Sequence, residues 1–195
     1  MDNELKEPLP QFNWISAQEY LDAERDAFEK HEYYKGEIFA MSGTLIKHNI
    51  IFSNVFGELA TKLKGKNCRP FGSDLRIHIT KNTLYTYPDI SIFCEEPDLT
   101  DDHFDTATNP AVIIELLSKT TRNYDKGNKF TLYRDIESLQ EYILIDTEEV
   151  YVEKHIRLSD SSWPLTDFRN IDAIVSIDTV QLSLLLKDIY NGVSF

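Results

Sequence analysis

The sequence predicts an α/β domain in which a central mixed sheet carries helices on both faces. Three observations predict it. From Thr44 onward, Ile46, Ile50, Ile51, Val55, Phe56, Leu59 and Leu63 recur at helical spacing. Two apolar runs, AVIIELL (111–117) and EYILID (141–146), have the composition of strands buried on both faces. Between these lie stretches with strand-like alternation, and strands interleaved with helices pack as helical layers against a sheet. With 195 residues and 42% hydrophobic content there is material for one ordinary core, and no repeat or linker divides the chain.

The elements follow in order. Ser16 and Glu19 fit a capping box, which starts a short acidic helix from Ala17 to about His31. EYYKGEIFAM (32–41) places a turn-prone Lys35-Gly36 pair between β-prone stretches and reads as a hairpin. The helix from Thr44 ends at Lys64-Gly65-Lys66. Residues 69–80 and 84–94, joined by a turn at Lys81-Asn82, should pair antiparallel. The acidic loop 95–109 leads into the central strand AVIIELL. A helix over 121–136, the strand EYILID, a strand over 149–158 and a final amphipathic helix over 182–190 complete the chain. The core order is helix, strand, strand, strand, helix, strand, spanning about 44–146, with decoration at both ends.

Composition excludes several classes. No run approaches the roughly 20 apolar residues of a membrane span. The start MDNELKEPLP lacks the layout of a signal peptide, so a soluble cytoplasmic protein is expected, with Cys68 and Cys94 as buried thiols. The five histidines are scattered and no CxxC occurs, so structural zinc is not expected. GxSxG, GxxxxGK[ST] and GxGxxG are all absent, which removes the usual cues for serine hydrolases, nucleotide triphosphatases and dinucleotide binding.

The formal charge of −13, taken as a total, argues against nucleic acid. Its distribution is uneven. Basic segments at 45–81 and 119–134 flank an acidic segment, 82–118, that contains no Lys or Arg at all. Such a pattern suits metal ions beside a phosphate-binding surface; the plainer reading is solvated helix faces.

Two carboxylates stand out. Asp89 follows Pro88, which cannot donate to a ladder and so belongs at a strand start or bulge, where the carboxylate can face a cleft. Glu115 lies inside an apolar run, where a carboxylate is costly to desolvate unless paired, hydrogen-bonded or bound to a cation. On neighbouring strands, Asp89 and Glu115 could share one divalent metal through oxygen ligands.

Pro88-Asp89 and Glu115 on successive strands resemble the PD-(D/E)XK nuclease motif. A closer resemblance is to the bacterial Uma-type family of "putative restriction endonucleases". It is carried by GEIFAMSG (36–43), His48, SDLRI (73–77), YPDISI (87–92), IIELLSKTT (113–121), YDKGNKFTLYR (124–134) and LQEYILID (139–146), in order. The resemblance implies a restriction-endonuclease-like core, Mg²⁺ or Mn²⁺ as cofactor, DNA as substrate and a homodimer as a reasonable assembly. It also implies that Glu37 serves as a further metal ligand and that His48, Ser73 and Asp74 lie near the site. An exposed hairpin glutamate, a helix-face histidine and a turn serine are the ordinary alternatives.

One position departs from the superfamily pattern. Its lysine stands two residues after the acidic residue, on the same strand face, where this chain has Leu117. In the resembling family the lysine comes from the following helix, which makes Lys129 the first candidate, followed by Lys126 and Lys119. Arg122, Lys126, Lys129 and Tyr133 would share one α-helical face, either directed at the site or forming a basic surface stripe. Of the aromatics, Tyr33, Tyr34, Phe39, Tyr85, Tyr87, Tyr124, Tyr133 and Tyr142 could stack bases, although strand spacing favours core and cross-strand pairing. The expectation is a divalent-metal-dependent endonuclease hydrolysing DNA. A nuclease fold that has lost activity and binds nucleic acid or protein, and a hydrolase of small phosphodiesters, are the alternatives.

Overall fold

The computed structural model describes residues 14–41 and 43–195. In chain order its elements are α1 Ala17–Arg25, β1 His31–Tyr34, β2 Glu37–Ala40, α2 Ile46–Leu63, β3 Arg69–Gly72, β4 Arg76–Ile79, β5 Leu84–Thr86, β6 Ile90–Phe93, β7 Thr106–Ala107 and β8 Val112–Leu117. There follow α3 Arg122–Tyr124, a π-helical turn Asp125–Lys129, α4 Phe130–Tyr133, β9 Glu141–Asp146, β10 Val152–Ile156, β11 Leu165–Phe168, β12 Ile174–Ile177, a 3₁₀ turn Asp178–Val180, β13 Leu182–Leu185 and α5 Leu186–Ile189.

A six-stranded sheet runs β11-β10-β9-β8-β6-β3 and a five-stranded one β2-β1-β5-β4-β7. β8 is central in the larger sheet, parallel to β9 and antiparallel to β6. Strand alternation sends Val112, Ile114 and Leu116 to one face, against Ile51, Val55, Leu59 and Leu63 of α2. Ile113 and Leu117 point to the other, against Tyr133 of α4 and Ile77, Ile79 and Leu84 of the smaller sheet. The helices therefore cover both faces of the larger sheet, and Glu115 shares the face of Ile113 and Leu117.

The two long strands expected over 69–80 and 84–94 are each broken. β3 pairs β6 in the larger sheet, while β4 pairs β5 in the smaller. The chain changes sheet at Ser73–Leu75 and again at Tyr87–Asp89. Pro88 stands at the second change, where its missing N–H breaks no ladder bond. The sheet break is what brings Asp89 to the inner end of β6, beside β8.

Three further expectations are corrected. The first helix keeps its capping box but ends at Arg25, with Asp26 as C-cap donating its N–H back to the Ala23 and Glu24 carbonyls, and Glu24 Oε1 accepts the His31 N–H at 2.8 Å where β1 begins. The C-terminal helix is confined to Leu186–Ile189. Leu182 and Leu184 are buried and Ser183 exposed, a period of two that makes this stretch a strand paired with β12. With Val175 and Ile177 these leucines complete the α2 side of the core, so this segment is integral to it. Finally, Cys68 and Cys94 form a disulfide rather than remaining thiols, since the β3–β6 register places them opposite one another just beyond the Arg69–Phe93 pair.

Candidate active site

The central strand positions Glu115 with its side chain almost wholly buried. Glu115 Oε1 accepts a hydrogen bond from the Tyr133 hydroxyl at 2.8 Å and lies 2.9 Å from the Lys129 ammonium. Glu115 Oε2 accepts the Asp89 backbone N–H at 3.2 Å, and Asp89 Oδ2 accepts the Leu116 backbone N–H at 2.8 Å. Each carboxylate is thus held by the other strand's backbone, a reciprocal brace that fixes both orientations. Asp89 Oδ1 lies 3.1 Å from His48 Nε2 on α2, while His48 Nδ1 is buried without a hydrogen-bond partner among the described residues.

Lys129 is the hub. Its ammonium lies 2.9 Å from Glu115, 3.0 Å from Glu32 Oε1 on β1 and 3.7 Å from Asp125. Burial by itself would lower the lysine's pKa; the facing Glu115, Glu32 and Asp125 charges outweigh it and hold the ammonium protonated well above the usual range. Burial pushes the Glu115 carboxyl upward from the usual carboxylate range, against the pull of Lys129, with the Asp125 and Asp89 charges adding to the rise. Thr86 donates to Glu32, closing the cluster on the smaller sheet's side.

The π-helical turn explains how Lys129 arrives there. The four residues Arg122, Lys126, Lys129 and Tyr133 do not form one site-facing stripe, because the wider turn breaks the α-helical phase between them. Arg122 pairs with Asp146 at 2.6 Å and Lys126 with Glu153 at 2.6 Å, both directed at β9 and β10. Lys129 and Tyr133 face Glu115. Leu117, two residues after Glu115 on the same strand face, is fully buried in the apolar core.

Asp89, Glu115 and Lys129 line a cavity of about 1070 Å³ bounded by the β1–β2 hairpin, the start of α2 and the α3–α4 helix. Lys119 also lines it and is exposed, with no ion pair among the described residues.

Residues 17–187 match the Uma2 family, whose description is "Putative restriction endonuclease". The chain belongs to this family. Two uncharacterized proteins of Synechocystis sp. are similar to it. One is 33% identical over 188 residues, covering 96% of this chain and 97% of its own length, and the other is 35% identical over 168 residues, covering 86% and 95%. In structure the chain is similar to one described as a "putative nuclease belonging to DUF820" from Anabaena variabilis, with a TM-score of 0.73, 23% identity and coverage of 90% of this chain and 97% of the other. That likeness establishes the fold.

Within this Uma2 chain several candidates stand apart from the carboxylates. Glu37 shares a hairpin face with Tyr34 and Phe39 but sits beside the turn, exposed and outside the cavity lining. The hairpin's acid in the cluster is Glu32, at the end of the hairpin where β1 joins β5. Ser73 and Asp74 form the β3–β4 turn and bind Lys30, which donates to the Ser73 carbonyl at 2.7 Å and to Asp74 Oδ1 at 2.6 Å. They and Lys126 lie outside the cavity lining. Sequence pattern does not single out Glu32 and Asp125 as members of the cluster. For Asp125 a signal existed, its i, i+4 spacing to Lys129; for Glu32 none separates it from Glu37 until β1 is known to be the inner strand.

Among the described residues no group of three or more His, Cys, Asp or Glu is arranged to hold a metal. The two braced carboxylates nevertheless fit Mg²⁺, which takes one or two protein carboxylates and leaves its other positions to water and substrate phosphate. The desolvated Glu115 carboxyl is the group a cation would compensate most.

Proposed function

We propose that this chain is a divalent-metal-dependent nuclease that hydrolyses phosphodiester bonds in DNA, with Asp89 and Glu115 as metal ligands and Lys129 as the cationic group at the scissile phosphate. The observation that carries this reading is the 2.9 Å approach of the Lys129 ammonium to Glu115. It brings carboxylates and lysine together although the strand position of the lysine is Leu117. Membership of the Uma2 family supports it further.

Bound Mg²⁺ or Mn²⁺ would neutralise phosphate charge and acidify a water molecule. The chain's own groups divide the remaining work. The backbone N–H groups of Asp89 and Leu116 fix the carboxylates before substrate arrives, so little reorganisation accompanies the reaction. Tyr133 holds Glu115 Oε1 from the helix side. Lys129, kept charged by its acidic neighbours, presents a donor to the attacking water or to a phosphate oxygen. His48 restrains Asp89 Oδ1 from the α2 side.

Calorimetric titration of Mn²⁺ into wild type, Asp89→Ala and Glu115→Ala tests the ligands, followed by cleavage of labelled DNA by wild type and Lys129→Ala. The expected outcome is binding lost in both folded carboxylate variants and cleavage lost in all three. A wild-type protein that binds no divalent ion and cuts no DNA would replace this reading with that of a non-catalytic nuclease fold.

A further inference from the structure

The cavity has a chemical character that bears on which form of DNA enters it. Of the eight aromatics able to stack bases, Tyr33, Tyr85, Tyr87, Tyr133 and Tyr142 are buried. Phe39 and Tyr124 are not: they line the cavity and remain 47% and 37% exposed. Phe39 pairs across the hairpin with Glu32, so the two share a face and the ring lies on the catalytic side of β2. Tyr124 stands at the end of α3, with the Lys129 ammonium 5.9 Å from its ring centroid. Tyr34 and the 74% exposed Leu45 extend the same lining.

The cations are few. A protein that tracks a duplex neutralises several phosphates through Lys and Arg, roughly 6–10 in strong binders. Here the cavity is lined by two lysines, Lys129 at the acidic cluster, assigned above to the reacting phosphate, and Lys119. That leaves Lys119 as the one lining cation without an ion pair among the described residues, while Glu148 adds negative charge to the rim. Of the nearby cations, Arg122 and Lys126 are held by Asp146 and Glu153, Lys47 lies 3.9 Å from Glu148, and Lys35 stands over the Tyr34 ring. What separates the two forms of DNA is the pair of accessible rings, Phe39 and Tyr124, because a duplex keeps its base faces stacked while a single strand presents them.

We propose that the site takes a single-stranded DNA segment, one or more of whose bases stack on Phe39 and Tyr124 while the adjacent phosphate lies toward Asp89, Glu115 and Lys129. This rests on the nuclease reading above and adds the form of the substrate. Lys119 supplies a flanking phosphate contact, and the serine and threonine hydroxyls of 118–121 line the path beside it.

The test is fluorescence anisotropy with labelled oligothymidylate of about 15 nucleotides and a duplex of equal length, without divalent metal. Cleavage of both by wild type in Mn²⁺ is measured in parallel. The single strand should bind at least about tenfold more tightly. Phe39→Ala and Tyr124→Ala should each weaken it by about 5- to 100-fold, whereas Phe39→Tyr and Tyr124→Phe retain it, which separates stacking from loss of local structure. Equal or tighter duplex binding, or alanine variants that bind as wild type, overturns the proposal. Cutting of duplex but not single strand overturns it while leaving the nuclease reading intact. Ring-dependent binding of the single strand with no cleavage of either DNA sustains the proposed binding mode and removes the nuclease reading. Failure to bind or cut either DNA removes both.

Discussion

The Lys129 ammonium and the Glu115 carboxylate meet at 2.9 Å although one stands in a π-helical turn and the other on the central strand. Their contact sits inside a cluster with Glu32 and Asp125 in which one cation serves three acids. Removing that cation leaves carboxylates buried together without compensation.

Lys129→Met should therefore destabilise the fold by about 3–5 kcal/mol, as for other broken buried pairs. Adding Glu32→Gln should recover part of the loss by removing one of the stranded charges. Urea denaturation of the single and double variants measures both, and a double variant less stable than Lys129→Met would contradict the assignment of the cluster.

Tyr133→Phe removes the hydroxyl that donates to Glu115 Oε1 and leaves the ring in place. Removing one partner of a buried hydrogen bond costs about 1–3 kcal/mol. A stability loss in that range is expected in denaturant titration, with secondary structure unchanged by circular dichroism.

The Cys68–Cys94 bond closes a loop with a sequence separation of 26. Loop-closure entropy for that length corresponds to about 3.5 kcal/mol. Reduction by dithiothreitol should lower the melting temperature measurably, and a Cys68→Ser/Cys94→Ser variant should melt with the reduced protein and show no further response to reductant.

His78 lies on β4, stacked on Tyr85 with ring centroids 3.9 Å apart. Burial pulls its pKa down to about 4, from about 6.5 in an unfolded chain. Between those values the unfolded state binds more protons. The stabilising contribution is thus complete above about pH 6.5 and is lost as pH falls toward 4. His78→Phe keeps a ring on Tyr85 and removes the titration. Its melting temperature should fall less steeply than wild type over that window, and parallel curves would refute the assignment.

The local pattern of the chain carried much of the fold. Glu115 within AVIIELL could be placed on a doubly buried strand from its neighbours alone, and Lys35-Gly36 marked its hairpin. In the structure both turn residues have positive φ, 47° and 88°, which glycine accommodates at the second position. Leu182 to Leu186 misled because Leu182, Leu184 and Leu186 alternate within a run too short to separate a strand from a helix.

Residue chemistry by itself determined that Asp89 and Glu115 carry unusual charges for their positions, since Pro88 and the apolar flanks are local facts. It also determined that Leu117 stands where the PD-(D/E)XK motif that the chain resembles has its strand lysine. Only the tertiary structure decided which acids and which lysine converge. The switch of strands between two sheets at Tyr87–Asp89 sets Asp89 beside β8, the choice of β1 as the inner hairpin strand selects Glu32 over Glu37, and the π turn separates Lys129 from Lys126. Each depends on long-range pairing or on one extra residue in a helical turn, and neither leaves a mark in a single sequence because side-chain period reports only the face of an element, not what that face meets.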